Sequence, residues 1–152
     1  MPGTYFKKGS LSEIDLAYLA GILDGEGFIG ITKYKKSSCK RGFSYQIRVQ
    51  VGTKDSVISK ECYNITGFGR YHKSNCNTFY WITEANSAYA VLKLVIPYLR
   101  LKKKQAQLCI DLYERANSGK RNYLPEEEWA FRDSMYEQCK QLKKDAYAGH
   151  VL

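Results

Sequence analysis

Apolar positions recur every three to four residues at the front of the chain. Ile14, Tyr18, Gly21 and Ile22 keep helical spacing, and Ser10-x-x-Glu13 and Ser12-x-x-Asp15 are overlapping capping starts for that helix. Gly25 and Gly27 end it, and the period then changes to two. Ile29 and Ile31 fall on one face, with Gly30, Thr32 and Tyr34 on the other, so residues 28–34 read as a half-buried strand. The polar, basic stretch Lys35 to Gly42 reads as a hairpin loop. Residues 43–52 alternate more cleanly: Ile47, Val49 and Val51 point inward, and Gln46, Arg48 and Gln50 point outward. A short helix follows from about Asp55 to Ile65, with Thr53 or Asp55 as its cap. Gly67-Phe68-Gly69 breaks it. Residues 70–74 and 77–83 form a second hairpin with Asn75 at the turn. Its exposed set is Arg70, His72 and Ser74, with Phe79 and Trp81 opposite, while Tyr71, Tyr80 and Ile82 face the core. His72 alone is as readily an ordinary surface residue.

The remainder has helical spacing. Asn86 caps a helix through Val91, Leu92, Val95 and Ile96 that Pro97 ends. Another helix starts near Lys102 and closes near Gly119. Pro125 followed by Glu126, Glu127 and Glu128 starts a last helix. Lys140, Lys143 and Lys144 end that helix as its dipole prefers, and Trp129, the Arg132 stem, Tyr136 and Cys139 form its core stripe. Residues 1–10 read as a short arm and residues 11–152 as a single domain. The chain is therefore α+β.

Composition narrows the partners. At 152 residues the chain suits one domain with a real core. No apolar run is long enough to span a membrane, and residues 1–8 lack the apolar core of a signal peptide. The 5 cysteines (Cys39, Cys62, Cys76, Cys109, Cys139) are irregularly spaced with no CxxC, which argues against zinc and for reduced thiols in an intracellular protein. Net charge is +9, and residues 27–83 carry most of it: ten basic residues against Asp55 and Glu61, 10 − 2 = +8. Such localisation points to a polyanion, most simply nucleic acid, or else to a solvated basic face. Gln and Arg on an exposed sheet face suit paired hydrogen bonds to base edges.

The densest chemistry lies at Leu19-Ala20-Gly21-Ile22-Leu23-Asp24-Gly25-Glu26-Gly27. Two carboxylates at a helix C-terminus oppose its macrodipole, where a cation is preferred. Ala17, Ala20 and Gly21 make a small-residue stripe for close helix packing, either between two copies or inside one core. This motif resembles the nine-residue signature of the LAGLIDADG homing endonucleases, with Glu in place of the last Asp. Val51-Gly52-Thr53-Lys54-Asp55, Gly67-Phe68-Gly69 and the lysine-rich stretch Pro97 to Ala106 are similar to later segments of single-motif members. The resemblance spans about residues 12–115.

That resemblance implies an αββαββα fold with a four-stranded antiparallel DNA-binding saddle and extra C-terminal helices. It implies Glu26 as metal-binding carboxylate, the Gly25 carbonyl as a further ligand, and Mg²⁺ or Mn²⁺ as the ion. Asp24 lies beside them, mainly closing the helix end. Lys102 matches a basic residue near the scissile phosphates. Thr53 stands where close relatives carry a water-holding Gln. A second basic residue of those relatives has no match, Val57 or Asp55 falling nearest. DNA contacts fall to Thr32, Tyr34, Lys35, Gln46, Arg48, Gln50, Arg70, His72, Ser74, Trp81 and Lys104.

The motif occurs once, so cutting both strands calls for a homodimer joined through Ala17, Ala20 and Gly21, with a near-palindromic target. The expected activity is site-specific, metal-dependent cleavage of double-stranded DNA in an organelle or a prokaryotic cytoplasm. An intron RNA maturase of the same fold and a catalytically silent DNA-binding regulator are the rivals.

Overall fold

A computed structural model describes residues 11–118 and 124–148. The first helix, α1 (Glu13–Glu26), is capped by Ser12, whose hydroxyl accepts the Asp15 N–H at 3.1 Å. The second of the two overlapping capping starts is therefore the one used. The helix continues through Gly25 and stops only at Gly27. A Cβ on Gly27 would lie 2.7 Å from the Leu23 Cα, so the chain can leave the helix this tightly only without a side chain.

Four antiparallel strands follow: β1 (Gly27–Lys35), β2 (Phe43–Thr53), β3 (Arg70–Lys73) and β4 (Phe79–Glu84). Their order in the sheet is β1-β2-β4-β3. Helix α2 (Val57–Thr66) joins the two hairpins, and α3 (Ala85–Val95), α4 (Lys103–Ala116) and α5 (Glu126–Ala148) complete the chain. The element order is αββαββα with additional C-terminal helices. One sheet face is buried beneath helices, its core built from Ile29, Ile47, Val49, Val51 and Trp81 with Leu19, Leu23, Val91 and Leu92. No helix among the described residues is long and apolar enough to cross a membrane.

Of the two candidate caps, Asp55 is the one that serves α2, its carboxylate accepting the N–H groups of Val57 and Ile58 at 2.9 Å each. Other local expectations change. Asn86 lies inside α3 instead of capping it, and its side-chain oxygen accepts the Tyr113 hydroxyl. In the second turn Asn77, at φ 57°, takes the left-handed conformation instead of Asn75. Helix α5 runs on past Lys140, Lys143 and Lys144 to Ala148, so these lysines do not occupy its last turn. The expected end of α4 near Gly119 lies outside the described residues.

The largest correction concerns β4. Directly paired residues share a face, and the register pairs Arg70 with Ile82 and His72 with Tyr80. Tyr80 and Ile82 therefore belong with Arg70 and His72 on the outer face. Trp81 points the other way, is completely buried, and donates its indole N–H to the Phe68 carbonyl at 2.8 Å. Gly69 (φ 88°) lets that carbonyl segment close on β4, since a Cβ there would meet the Ile82 oxygen at 2.6 Å. Trp81→Ala is expected to destabilise the protein by about 3–5 kcal/mol in urea unfolding, as removal of a buried aromatic does. An unchanged midpoint would contradict this placement.

Candidate active site

Helix α1 ends with four carbonyls that have no intrahelical donor. The strand that leaves it turns back along β2, and the segment before α4 crosses the same point. Lys102, at the start of α4, donates its ammonium to the Leu23 carbonyl at 2.7 Å and to the Gly27 carbonyl. It thereby caps α1 from a distant part of the chain. Asp24 works in the opposite direction. Its carboxylate accepts the backbone N–H groups of Arg100, Leu101 and Lys102 at 2.8, 3.2 and 3.0 Å, at the N-terminal end of α4. What meets Asp24 is thus a set of three backbone N–H donors at the positive end of the α4 dipole, with the Lys102 charge nearby. Burial pushes the Lys102 pKa down, opposed by the charges of Asp24 and Glu26. Asp24→Ala would strand three amides. A loss of roughly 2–4 kcal/mol is expected in thermal unfolding, as for charged hydrogen bonds; a loss within error would show that the clamp is unimportant.

Glu26 differs from Asp24. Its side chain is exposed and makes no hydrogen bond or ion pair among the described residues. It borders a cleft of about 500 Å³ lined also by Asp24, Gly25, Gln50, Lys102, Gln105 and Lys143. A free carboxylate beside the Gly25 carbonyl near a helix end is a hard-oxygen donor set, which suits Mg²⁺ or Mn²⁺. Among the described residues, no three His, Cys, Asp or Glu side chains converge to hold a metal ion. The described residues therefore offer part of a coordination shell, consistent with an ion that keeps waters and takes oxygens from a bound phosphate.

Thr53 is not among the residues lining this cleft. Its hydroxyl donates to the Asp55 carbonyl at 2.9 Å, so it organises the start of α2. Val57 is 65 % exposed and supplies no charge. Gln50, placed with the DNA contacts by its outward face, does line the cleft. The sequence pattern marks Lys143 only as a helix-end lysine and Gln105 only as part of the lysine-rich stretch. Their arrival here depends on how α4 and α5 dock, which no local pattern encodes.

The outer sheet face carries Thr32, Gln46, Arg48, Gln50, Arg70 and His72, as the alternation predicts. Tyr34, Lys35 and Lys104 are exposed. Trp81 is not available to this face. Ser74 instead holds the β3–β4 turn, its hydroxyl accepting the Cys76 and Thr78 N–H groups at 3.3 Å each. Glu84, the last residue of β4, sits opposite Arg48, accepts its guanidinium, and lies 3.6 Å from Arg70. The reading face therefore contains an acid that holds two of its arginines. Glu84→Gln is expected to tighten binding to unrelated duplex DNA by about five-fold at low salt, because two guanidinium groups are released to phosphates. A filter-binding affinity that does not change would show that the pairs do not restrain the arginines.

The α1 surface away from the core is apolar. Ile14 is 81 % and Tyr18 46 % exposed, and Ala17, Gly21 and Gly25 lie beside them. Ala20 does not belong to this stripe. It is fully buried in the subunit core, because it faces the same side of the helix as Leu19 and Leu23.

The sequence model of the LAGLIDADG endonuclease family matches residues 19–129. The chain belongs to this family. Solved structures agree in fold. The homing endonuclease I-CvuI in complex with the I-CreI target is 19 % identical, with TM-score 0.65, covering 92 % of this chain and 98 % of that one. The archaeal intron-encoded homing endonuclease I-Vdi141I, complexed with DNA, is 12 % identical with TM-score 0.73, covering 86 % and 84 %. The homing endonuclease I-TnaI is 14 % identical with TM-score 0.64, covering 86 % and 97 %. No protein of curated function matches the chain. At such identities the LAGLIDADG likeness places the fold, and the chemistry rests on the residues described above.

Proposed function

We propose that this LAGLIDADG protein is a site-specific homing endonuclease that acts as a homodimer. It hydrolyses phosphodiesters on both strands of a long, near-palindromic DNA target, using Mg²⁺ or Mn²⁺. The observation that carries this reading is the free Glu26 carboxylate beside Lys102, at the rim of a basic sheet face. A DNA-binding regulator has no use for an unpaired acid where a phosphate would lie, because it repels the ligand.

When bound, the ion supplies positive charge and an activated water at neutral pH. Glu26 and the Gly25 carbonyl hold it. Lys102 sets the carbonyl end of α1 and adds positive charge at the cleft. Asp24 fixes α1 and α4 to each other, so the carboxylate and the lysine keep their spacing. Gln46, Arg48, Gln50, Arg70 and His72 contact base edges, and Lys35 and Lys104 contact the backbone. The exposed α1 stripes of two subunits pack together, which brings two Glu26 residues to the two-fold axis, one for each strand.

Incubation with a randomised duplex library in Mg²⁺ or in Ca²⁺ tests the activity. Broken duplexes in Mg²⁺ and bound, intact duplexes in Ca²⁺ are the expected pair. Tight binding with no product in Mg²⁺ would overturn the reading.

A further inference from the structure

We propose that Lys143, on the C-terminal helix α5, is the cation that contacts the phosphate being cut. The proposal rests on the endonuclease reading above and adds to it a residue outside the family motif. Lys143 borders the same cleft as Glu26 and Lys102. It also borders an adjoining cavity with Thr32, Lys33, Arg48 and Lys140, which opens on the outer face of β1. It therefore stands where the cleft meets the surface that a duplex would cover.

The state of the two lysines separates their roles. Lys102 already commits its ammonium to two carbonyls at the end of α1. Lys143 has no ion pair or hydrogen bond among the described residues. Its ammonium rests 4.1 Å from the centre of the Phe28 ring, two residues beyond Glu26. A ring face holds a cation in place without using up its N–H donors. Helix α5 continues to Ala148, so the charge does not serve the last turn either. After burial, the nearby Lys143 charge is a further cause lowering the Lys102 pKa, which agrees with two ammonium groups sharing one cleft.

In phosphodiester hydrolysis the water oxygen bonds to phosphorus and the bond to one sugar oxygen breaks. The hydroxide portion of water stays on phosphorus, and its other proton ends on the leaving oxygen. Negative charge grows on the non-bridging and leaving oxygens before that proton arrives. The Lys143 ammonium donates to one of these oxygens and keeps its proton overall. Preorganised donors of this kind act chiefly on the transition state.

The test compares Lys143→Met and Lys143→Arg with wild type on a cleavable duplex. Single-turnover cleavage is read in Mg²⁺ and affinity in Ca²⁺. Lys143→Met should slow cleavage by about 30- to 100-fold with affinity within about three-fold, and Lys143→Arg should restore most of the rate. Lys144→Met, the next residue on the same helix and outside the lining of both cavities, should cut within about three-fold of wild type and controls for damage to α5. Wild-type cutting by Lys143→Met would overturn the proposal. So would a rate loss that merely follows lost affinity, or one that Arg does not repair. If wild type cuts no duplex, the endonuclease reading itself fails, which the parallel wild-type reaction registers separately.

Discussion

Glu26→Gln is expected to reduce cleavage by at least about 1,000-fold while leaving affinity for the target in Ca²⁺ within about three-fold. The amide keeps the size of the side chain and one acceptor oxygen but loses the charge that holds a divalent ion. Structural cost should be small, because Glu26 is exposed and makes no bond among the described residues. The neighbouring acid offers the contrast. Asp24 accepts three backbone amides, so its removal should appear first as lost stability. Cleavage by Glu26→Gln at the wild-type rate would show that the catalytic ion sits elsewhere.

If the proposed dimer forms through α1, Gly21→Arg is expected to leave monomers and to reduce double-strand cleavage by at least about 100-fold. Gly21 lies in the middle of the exposed α1 stripe, and a Cβ there meets nothing within 4 Å in the subunit. The folded subunit can therefore accept the side chain. Its helix should even gain up to about 1 kcal/mol from losing a glycine. A second subunit could not accept it, because the arginine would occupy the contact between two helix backbones. Sedimentation mass and unfolding midpoint together separate these effects. A variant that remains dimeric and cuts normally would place the subunit contact on another surface.

The sequence carried the parts of this account that depend on local pattern. The alternation of β2 placed Gln46, Arg48 and Gln50 on the outer face, and the break at Gly27 located Glu26. Strand β4 failed because Phe79-Tyr80-Trp81-Ile82 is apolar at consecutive positions and has no period to read. Its register is set by the indole of Trp81 reaching Phe68, a contact across thirteen residues. The cap on α1 was equally hidden, since it comes from Lys102 in a later element. Ala20 and Gly21 are neighbours in sequence, yet one is in the core and the other outside. Small size alone did not say which side of the helix each takes. Glu84 lies one position beyond the basic segment counted by charge, and only strand pairing brings it against Arg48. Lys143 reaches the cleft through the docking of α5, which depends on tertiary contacts such as the Tyr45–Tyr136 stack at 5.0 Å.

Mapping the broken ends that the protein leaves in a randomised duplex library with Mg²⁺ tests the central claim most directly. Wild type should yield one enriched, near-palindromic site cut on both strands symmetrically about its centre, and Glu26→Gln run in parallel should yield none. Ends without a shared symmetric site, or the same ends from both proteins, would contradict a homodimeric endonuclease built on Glu26.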